Sequence, residues 1–232
     1  MSMLARGVFV TGTDTGVGKT VLAAALVRTL VRQGLRVAAM KPIASGADST
    51  AAGLRNADAL ILAQAANVAA AYCTINPYCF APAIAPHLAA REAGVVIDTA
   101  LLCERFRELA DRADCVVVEG AGGWLTPIGP AQTMADVAAA LSLPVVLVVG
   151  LKLGCLNHAQ LTARALASHA AGVRGWVGNS IDPEYDRRAA NIATLENLLK
   201  EPATAIVSFA SQRPEELELA PRAARLLAGL SA

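Results

Sequence analysis

Lys19 and Thr20 close the run Thr11-Gly12-Thr13-Asp14-Thr15-Gly16-Val17-Gly18-Lys19-Thr20, which directly follows the apolar residues 8–10. A glycine-rich turn between a strand and a helix points successive backbone N–H groups at one place and adds the positive end of the helix dipole. Lys19 brings a full charge to that place. Thr20 puts a hydroxyl where a Mg²⁺ bridging terminal phosphates sits. The chemistry this pattern serves is the binding of a nucleoside triphosphate, with Thr13, Asp14, Thr15, Gly16, Val17, Gly18, Lys19 and Thr20 around the phosphates. The common spacing leaves four residues between the first glycine and Gly-Lys-Ser/Thr. Here Gly12 and Gly18 enclose five, and Thr13 stands where the common form has glycine. The loop is therefore a variant in which Gly16 supplies flexibility.

Other reactive residue types fall at the ends of apolar runs. Glu119 follows Cys115-Val116-Val117-Val118 and offers a carboxylate to a metal opposite Thr20. Gly120, Ala121, Gly122 and Gly123 then keep side-chain bulk away from whatever approaches the backbone. Lys41 ends a strand-like run before Pro42, which biases it toward extended backbone, and its ammonium suits a transferred phosphoryl group. Ser45 is either a second polar group in that pocket or a plain turn serine. Asp58 is either a metal carboxylate or an ordinary acidic residue complementing a helix start; its position alone favours the second. Asp136 has only the second reading. Lys152-Leu153-Gly154-Cys155-Leu156-Asn157 leads from a strand into a helix, so its amides form an anion site. Cys155 has no base placed beside it by sequence. Asn179, followed by Ser180, either pairs with an adenine edge or caps a turn before Pro183.

These residues need a scaffold. Strand patterns cover 7–10, 36–41, 115–118, 144–149, 175–178 and 205–207; helical patterns cover 19–33, 54–66, 99–113, 133–142, 157–171, 186–199 and 214–229. Strands alternating with helix-length segments imply crossovers and a mainly parallel sheet. Unbroken apolar strands such as 144–149 imply helices on both faces. Ligands in such sheets gather beyond the carboxyl ends of strands, where the residues above fall. Segment 72–98, with Pro77, Pro82 and Pro86, is expected to form loops and turns near the site mouth.

Composition sets the limits. The chain has 232 residues, 55% of them hydrophobic and 17% charged, which fills the core of one α/β domain spanning 1–232. A net charge of +1 without a Lys/Arg cluster argues against nucleic acid or an anionic membrane as partner. Five cysteines without a C-x-x-C spacing fit free thiols in a reducing cytosol. Cys103 and Cys115 are expected in the core. No signal peptide is expected, and prolines and amides interrupt the uncharged stretch 59–86, which excludes a membrane span.

Together the strings resemble the dethiobiotin synthetases, ATP-dependent enzymes of biotin synthesis. The resemblance rests on residues 10–15 with 17–20, Lys41-Pro42, Ala44-Ser45-Gly46, Gly53-Leu54-Arg55-Asn56, Asp58-Ala59-Leu60 and Asn76-Pro77-Tyr78. It continues through Val118-Glu119-Gly120-Ala121-Gly122-Gly123-Trp124, residues 148–150, Lys152-Leu153-Gly154-Cys155, Asn157-His158 and Gly175-Trp176-Val177. It is strong over about residues 1–180 and fades beyond, and the five-residue loop spacing is itself what this family shows.

The resemblance implies a P-loop nucleotide hydrolase-like three-layer fold and a homodimer in a cytoplasmic setting. It implies MgATP, CO₂ and 7,8-diaminononanoate as substrates, joined through a carbamate and a carbamic–phosphoric anhydride into dethiobiotin. Lys19 and Thr20 then resemble the phosphate and Mg²⁺ residues, and Asp58 and Glu119 the metal carboxylates, which reverses the reading of Asp58 from position alone. Lys41, Thr15 and Ser45 resemble the groups around the carbamate and transferred phosphate. Asn179 resembles the adenine-recognising residue, and Glu215 is placed to reach the ribose. Gly154, Cys155, Leu156 and Asn157 resemble the segment that binds the distal substrate carboxylate across the dimer interface. Two departures stand out: Gly16 replaces an acidic residue of some relatives, and Ile206-Val207-Ser208-Phe209-Ala210 replaces an Ile-Pro-Trp-Leu-like run near the adenine. The nearest rivals are P-loop ATPases that position DNA or division machinery; these carry lysine where this chain has Asp14. A cobyrinate-type amidotransferring ligase would need a glutaminase domain for which 232 residues leave no room.

Overall fold

Alternation along the strands decides the architecture. In the computed structural model, which describes residues 7–209, 217 and 219–229, Val8 and Val10 face one hydrophobic core while Phe9 between them faces another. Val117 likewise opposes Val116 and Val118, and Val146 and Val148 oppose Val145, Leu147 and Val149. A strand buried on both faces has no solvent side to make polar, which is why these runs read as unbroken apolar sequence.

The first elements are β1 (Gly7–Gly12), α1 (Lys19–Arg32), β2 (Val37–Met40), β3 (Ile43–Ser45), β4 (Asp48–Thr50), β5 (Gly53–Arg55) and α2 (Ala57–Ala65). Next come α3 (Tyr72–Ile75), β6 (Tyr78–Phe80), α4 (Pro86–Glu92), α5 (Thr99–Ala110), β7 (Cys115–Glu119) and α6 (Met134–Ala140). The described chain closes with β8 (Val145–Leu151), α7 (Cys155–Leu166), β9 (Val173–Ser180), α8 (Arg188–Leu199), β10 (Ala205–Val207) and α9 (Pro221–Leu227). Six strands form one sheet in the order β10-β9-β8-β1-β7-β2, every neighbouring pair parallel. Helices α1, α2 and α9 cover one face, and α5, α6, α7 and α8 the other. The chain passes from β1 to β2, returns to place β7 between them, then builds outward through β8. The carboxyl ends of β1, β7 and β2 therefore open at the point where strand order reverses, the usual crevice for a ligand.

The six main strands and the helix pattern agree with the sequence reading; the finer elements differ. The helix expected over 54–66 begins at Ala57, because Asn56 in extended backbone accepts the Ala59 N–H and caps it. The residues before it pair as the antiparallel hairpin β4–β5. Segment 72–98 is more regular than expected. It holds α3, β6 and α4, and β6 pairs in parallel with β3. These elements are too short for periodicity to reveal them. Helix α7 starts two residues earlier than expected, at Cys155, and ends at Leu166. Of the helix expected over 214–229, Pro221–Leu227 is helical, and part of the remainder lies outside the described residues. Asp136 accepts the Thr133 backbone N–H at 2.6 Å, an ordinary helix-start role. The five cysteines are free thiols, with Cys115 buried and Cys103 partly buried against the core. No helix among the described residues is long and apolar enough to cross a membrane.

Candidate active site

A cleft of about 810 Å³ lies at the carboxyl ends of β1, β2 and β7. Lys19, Thr20, Lys41, Ser45, Asp58 and Glu119 line it, with Thr15, Gly16, Gly18, Ala121 and Gly122 from the loops.

The phosphate loop bridges β1 and α1. Its tightness depends on glycine at two places. A Cβ on Gly12 would lie 2.6 Å from Val17 Cγ2, and one on Gly18 would lie 2.0 Å from Asn179 Nδ2. Gly18 also has φ +88°, which side chains with a Cβ rarely adopt. Asn179 locks the loop from below by donating through Nδ2 to the Val17 carbonyl at 2.9 Å. Its Oδ1 is buried with no partner among the described residues. The Oδ1 acceptor is therefore left for an amino group, and Nδ2 keeps one of its two N–H donors.

Lys19 folds back over the loop and donates to the Asp14 carbonyl at 2.8 Å. Burial, and next the Lys41 charge, lower its pKa from 10.5 to about 8, with Glu119, Asp58 and Asp14 acting in the opposite direction. A bound triphosphate restores the proton that burial weakens. Mg²⁺-free ATP added at pH 8 is therefore expected to take up about half a proton per site, falling to about a tenth at pH 7 where Lys19 is already charged. Calorimetry in buffers of differing ionisation enthalpy measures that number, and proton release at pH 8 contradicts it.

Lys41 stands just beyond β2 and is 4% exposed. All three of its protons are used. Nζ donates to Glu119 Oε1 at 2.6 Å, to Asp58 Oδ2 at 3.0 Å and to the Gly120 carbonyl at 3.3 Å. Burial disfavours the ammonium, but Glu119 and Asp58 together outweigh it and hold the pKa above the ordinary lysine value. For Asp58 burial alone would raise the pKa, yet Lys41, Thr20 and Lys19 hold it below the ordinary carboxylate range. Both groups of that pair are therefore charged at neutral pH. The Asp58 carboxylate serves Lys41, whatever its sequence position does for the helix dipole.

Thr20 Oγ1 donates to the same Glu119 oxygen at 2.8 Å. Glu119 is 1% exposed, and its second oxygen, Oε2, is buried without a partner among the described residues. A hydroxyl, two carboxylates and an unused carboxylate oxygen make a hard oxygen donor set open toward the phosphate loop. Mg²⁺ is commonly held by one or two carboxylates with substrate phosphates and water. No cluster of three His, Cys, Asp or Glu side chains occurs among the described residues, so a closed protein cage is not on offer there. The residues fit Mg²⁺ with phosphate oxygens completing its shell.

Ser45 lines the cleft with Oγ buried and unpartnered among the described residues. Gly154, Cys155, Leu156 and Asn157 form the exposed-to-buried start of α7 and are absent from the lining of this cleft. Lys152 approaches Asp14 at 3.8 Å, so the segment adjoins the phosphate loop from outside. Asn179 and Ser180 lie under the loop at the end of β9. Glu215 and Ala210 lie outside the described residues. The sequence reading missed Asn56, Ile61 and Thr126, while the wall formed by Ala83, Ile84, Ala85 and Pro86 lies in the segment it expected near the site mouth; all of these line the cleft. An asparagine immediately before a helical pattern is a readable capping signal; the apolar wall carries no signal of its own.

Comparisons with known proteins identify the family. A protein-family model described as an AAA domain matches residues 6–213. The chain is 53% identical over 195 residues to the ATP-dependent dethiobiotin synthetase BioD of Pseudomonas aeruginosa (strain UCBPP-PA14), covering 84% of this chain and 86% of that one. It is 48% identical over 209 residues to the protein of the same name from Chromohalobacter salexigens, with 86% and 88% covered. Among solved structures it is similar to the MinD cell division protein of Aquifex aeolicus, with TM-score 0.58, 17% identity, and 98% and 99% covered. At that identity the likeness concerns the P-loop fold with its parallel sheet. High identity along most of both chains, with the phosphate loop, Lys41, Asp58 and Glu119 gathered at one cleft, places the chain in the ATP-dependent dethiobiotin synthetase family.

Proposed function

We propose that this cleft, within a single catalytic domain, joins CO₂ to 7,8-diaminononanoate and closes the ureido ring of dethiobiotin with ATP as the driving co-substrate. One amine adds to CO₂ and loses a proton, giving a carbamate. The carbamate oxygen attacks the γ-phosphorus, the bond to ADP breaks, and a carbamic–phosphoric anhydride forms. The second amine then attacks the carbamoyl carbon, loses a proton and expels phosphate. The nucleophiles all belong to the substrate, so the protein needs no nucleophile of its own. Its work is alignment and charge stabilisation. The observation that carries the reading is Lys41, buried between Glu119 and Asp58 beside the phosphate loop.

Lys19 and the loop amides up to Thr20 hold the triphosphate, except that of Thr13, whose N–H donates to the Val148 carbonyl at 3.0 Å and only anchors the loop. Lys41 neutralises the oxygens of the phosphoryl group in flight, and Ser45 and Thr15 hydrogen-bond the carbamate beside it. Thr20, Asp58 and Glu119 would hold Mg²⁺, which when bound neutralises the terminal phosphates. Gly120, Ala121 and Gly122 let the nucleotide phosphates approach the protein backbone, and Asn179, Ser180 and Glu215 receive the nucleoside end. The protein acts in the cytoplasm.

A homodimer completes the site. The 154–157 segment of one protomer binds the distal carboxylate of substrate held by the other. Support comes from its N-terminal helix amides, its exposed Asn157, the 86% exposed Leu153 beside it, and its absence from the lining of its own cleft. Asn157 is exposed, so Asn157→Trp disturbs an incoming substrate tail rather than its own core. Asn157→Trp and Lys41→Ala homodimers should each be nearly inactive. In a mixed dimer, two-fold symmetry gives one site both defects and the other neither, so activity should return to about half of wild type per dimer. Folded mixed dimers, verified by mass, that stay inactive would mean each protomer builds its own pocket.

A further inference from the structure

Lys41 and Asp58 come from separate elements, and a file of hydrogen bonds behind the cleft joins those elements. Asn76, 2% exposed, donates through Nδ2 to the Lys41 carbonyl at 2.6 Å and to the Tyr78 carbonyl at 3.2 Å. Two carbonyls thus fix the amide orientation, and its Oδ1 needs a donor. The Tyr72 hydroxyl supplies it at 3.0 Å. The same Tyr72 oxygen accepts the Asn56 backbone N–H at 2.8 Å. Asn56, 6% exposed, caps α2 by accepting the Ala59 N–H at 3.2 Å. Its Nδ2 donates to the carbonyls of Ser45 and Gly46 at 3.3 and 3.5 Å.

One hydroxyl, donating and accepting at once, therefore links the backbone of Lys41 to the start of the Asp58 helix and to the Ser45 strand. Arg55 lies over the Tyr72 ring, 4.2 Å from its centre, and fixes the ring from outside. Burial pushes the Tyr72 hydroxyl up to about 12, so it keeps its proton and serves as a link rather than an acid or base.

We propose that Tyr72 is a positioning residue for phosphoryl transfer, its hydroxyl joining Asn76 behind Lys41 to Asn56 at the start of the helix that carries Asp58. The inference rests on the roles given above to Lys41 and Asp58. Phenylalanine at 72 leaves a buried acceptor on Asn76 and the Asn56 N–H without this partner. Both elements then relax to find others.

The test is Tyr72→Phe. Misplacement of catalytic groups by a fraction of an ångström to an ångström lowers kcat, here by about 10- to 100-fold. KM for ATP should stay within about twofold, because the phosphate loop takes no part in the file. Mn²⁺ binding in the presence of a non-hydrolysable ATP analogue, read from free Mn²⁺ by EPR, should weaken severalfold because Asp58 is no longer held. The pH profile should keep its shape. On an Asp58→Ala background Tyr72→Phe should no longer weaken Mn²⁺ binding by more than about twofold, since it reaches the metal through Asp58.

Asn76→Asp keeps the acceptor for the Tyr72 hydroxyl but removes the donors to the Lys41 and Tyr78 carbonyls. It breaks the file at Lys41, should show the same split between kcat and KM, and carries the test if Tyr72→Phe does not fold. Folded variants with kcat and Mn²⁺ affinity both within about twofold of wild type would overturn the relay, as would an undiminished loss of Mn²⁺ affinity on the Asp58→Ala background. Normal turnover in Lys41→Ala would instead overturn the role of Lys41 beneath it, so the two failures are distinct.

Discussion

Lys41→Ala is expected to lower kcat by about 100-fold or more while leaving nucleotide affinity nearly intact, because one preorganised buried cation beside developing charge contributes on the order of 3 kcal/mol. The structure separates the two effects physically. The proposed ground-state triphosphate site is the phosphate loop with Lys19, whereas Lys41 stands just beyond β2 between Glu119 and Asp58. Alanine also leaves Glu119, 1% exposed, without its closest cation. Some loss of thermal stability should therefore accompany the loss of rate. Calorimetric titration with a non-hydrolysable ATP analogue, beside steady-state turnover and a melt, separates binding, chemistry and folding. Lost analogue affinity with near-normal saturated turnover would place Lys41 in the wrong role.

Removing Glu119 should affect stability more than removing Asp58, although both carboxylates touch the same ammonium. The Glu119 side chain is 1% exposed and Asp58 is 42% exposed. Breaking a buried pair strands the remaining charge and costs about 3–5 kcal/mol; a pair with one solvated partner contributes about 1 kcal/mol or less. For a chain of this size each kcal/mol corresponds to roughly 2–4 °C, so Glu119→Ala should melt about 6–20 °C lower and Asp58→Ala only about 2–4 °C lower. Glu119→Gln keeps the volume and one acceptor for Lys41 and Thr20, and should recover part of the stability without the Mg²⁺ response. Both variants should need far more Mg²⁺ for whatever turnover remains. Equal melting shifts for the two alanine variants would mean that burial does not set the strength of the pair.

The 11–20 run, Lys41 and Glu119 were legible because each is a local pattern: a loop or a polar residue at the end of an apolar strand. Strand and helix order was legible for the same reason, since unbroken apolar runs and helical periodicities record burial directly. Asp58 was ambiguous in sequence because an acidic residue at a helix start satisfies the helix dipole and a distant lysine equally well. Only the placement of α2 beside β2 turned its carboxylate to Lys41. The cap at Asn56 and the hairpin before it displaced the expected helix start, because one side-chain hydrogen bond outweighs weak propensity. Tyr72 and Asn76 lie in a segment that reads as loop, and nothing in their spacing announces a shared hydroxyl. Which residues can hold phosphate and which strands must be buried follows from the order of residues, since local sterics and solvent exposure act along the chain. That β7 inserts between β1 and β2 and brings Glu119 to Lys41, and that Asn179 reaches under Val17, emerges only in the folded chain. Those meetings depend on strand order, and strand order is set by packing across the whole sheet.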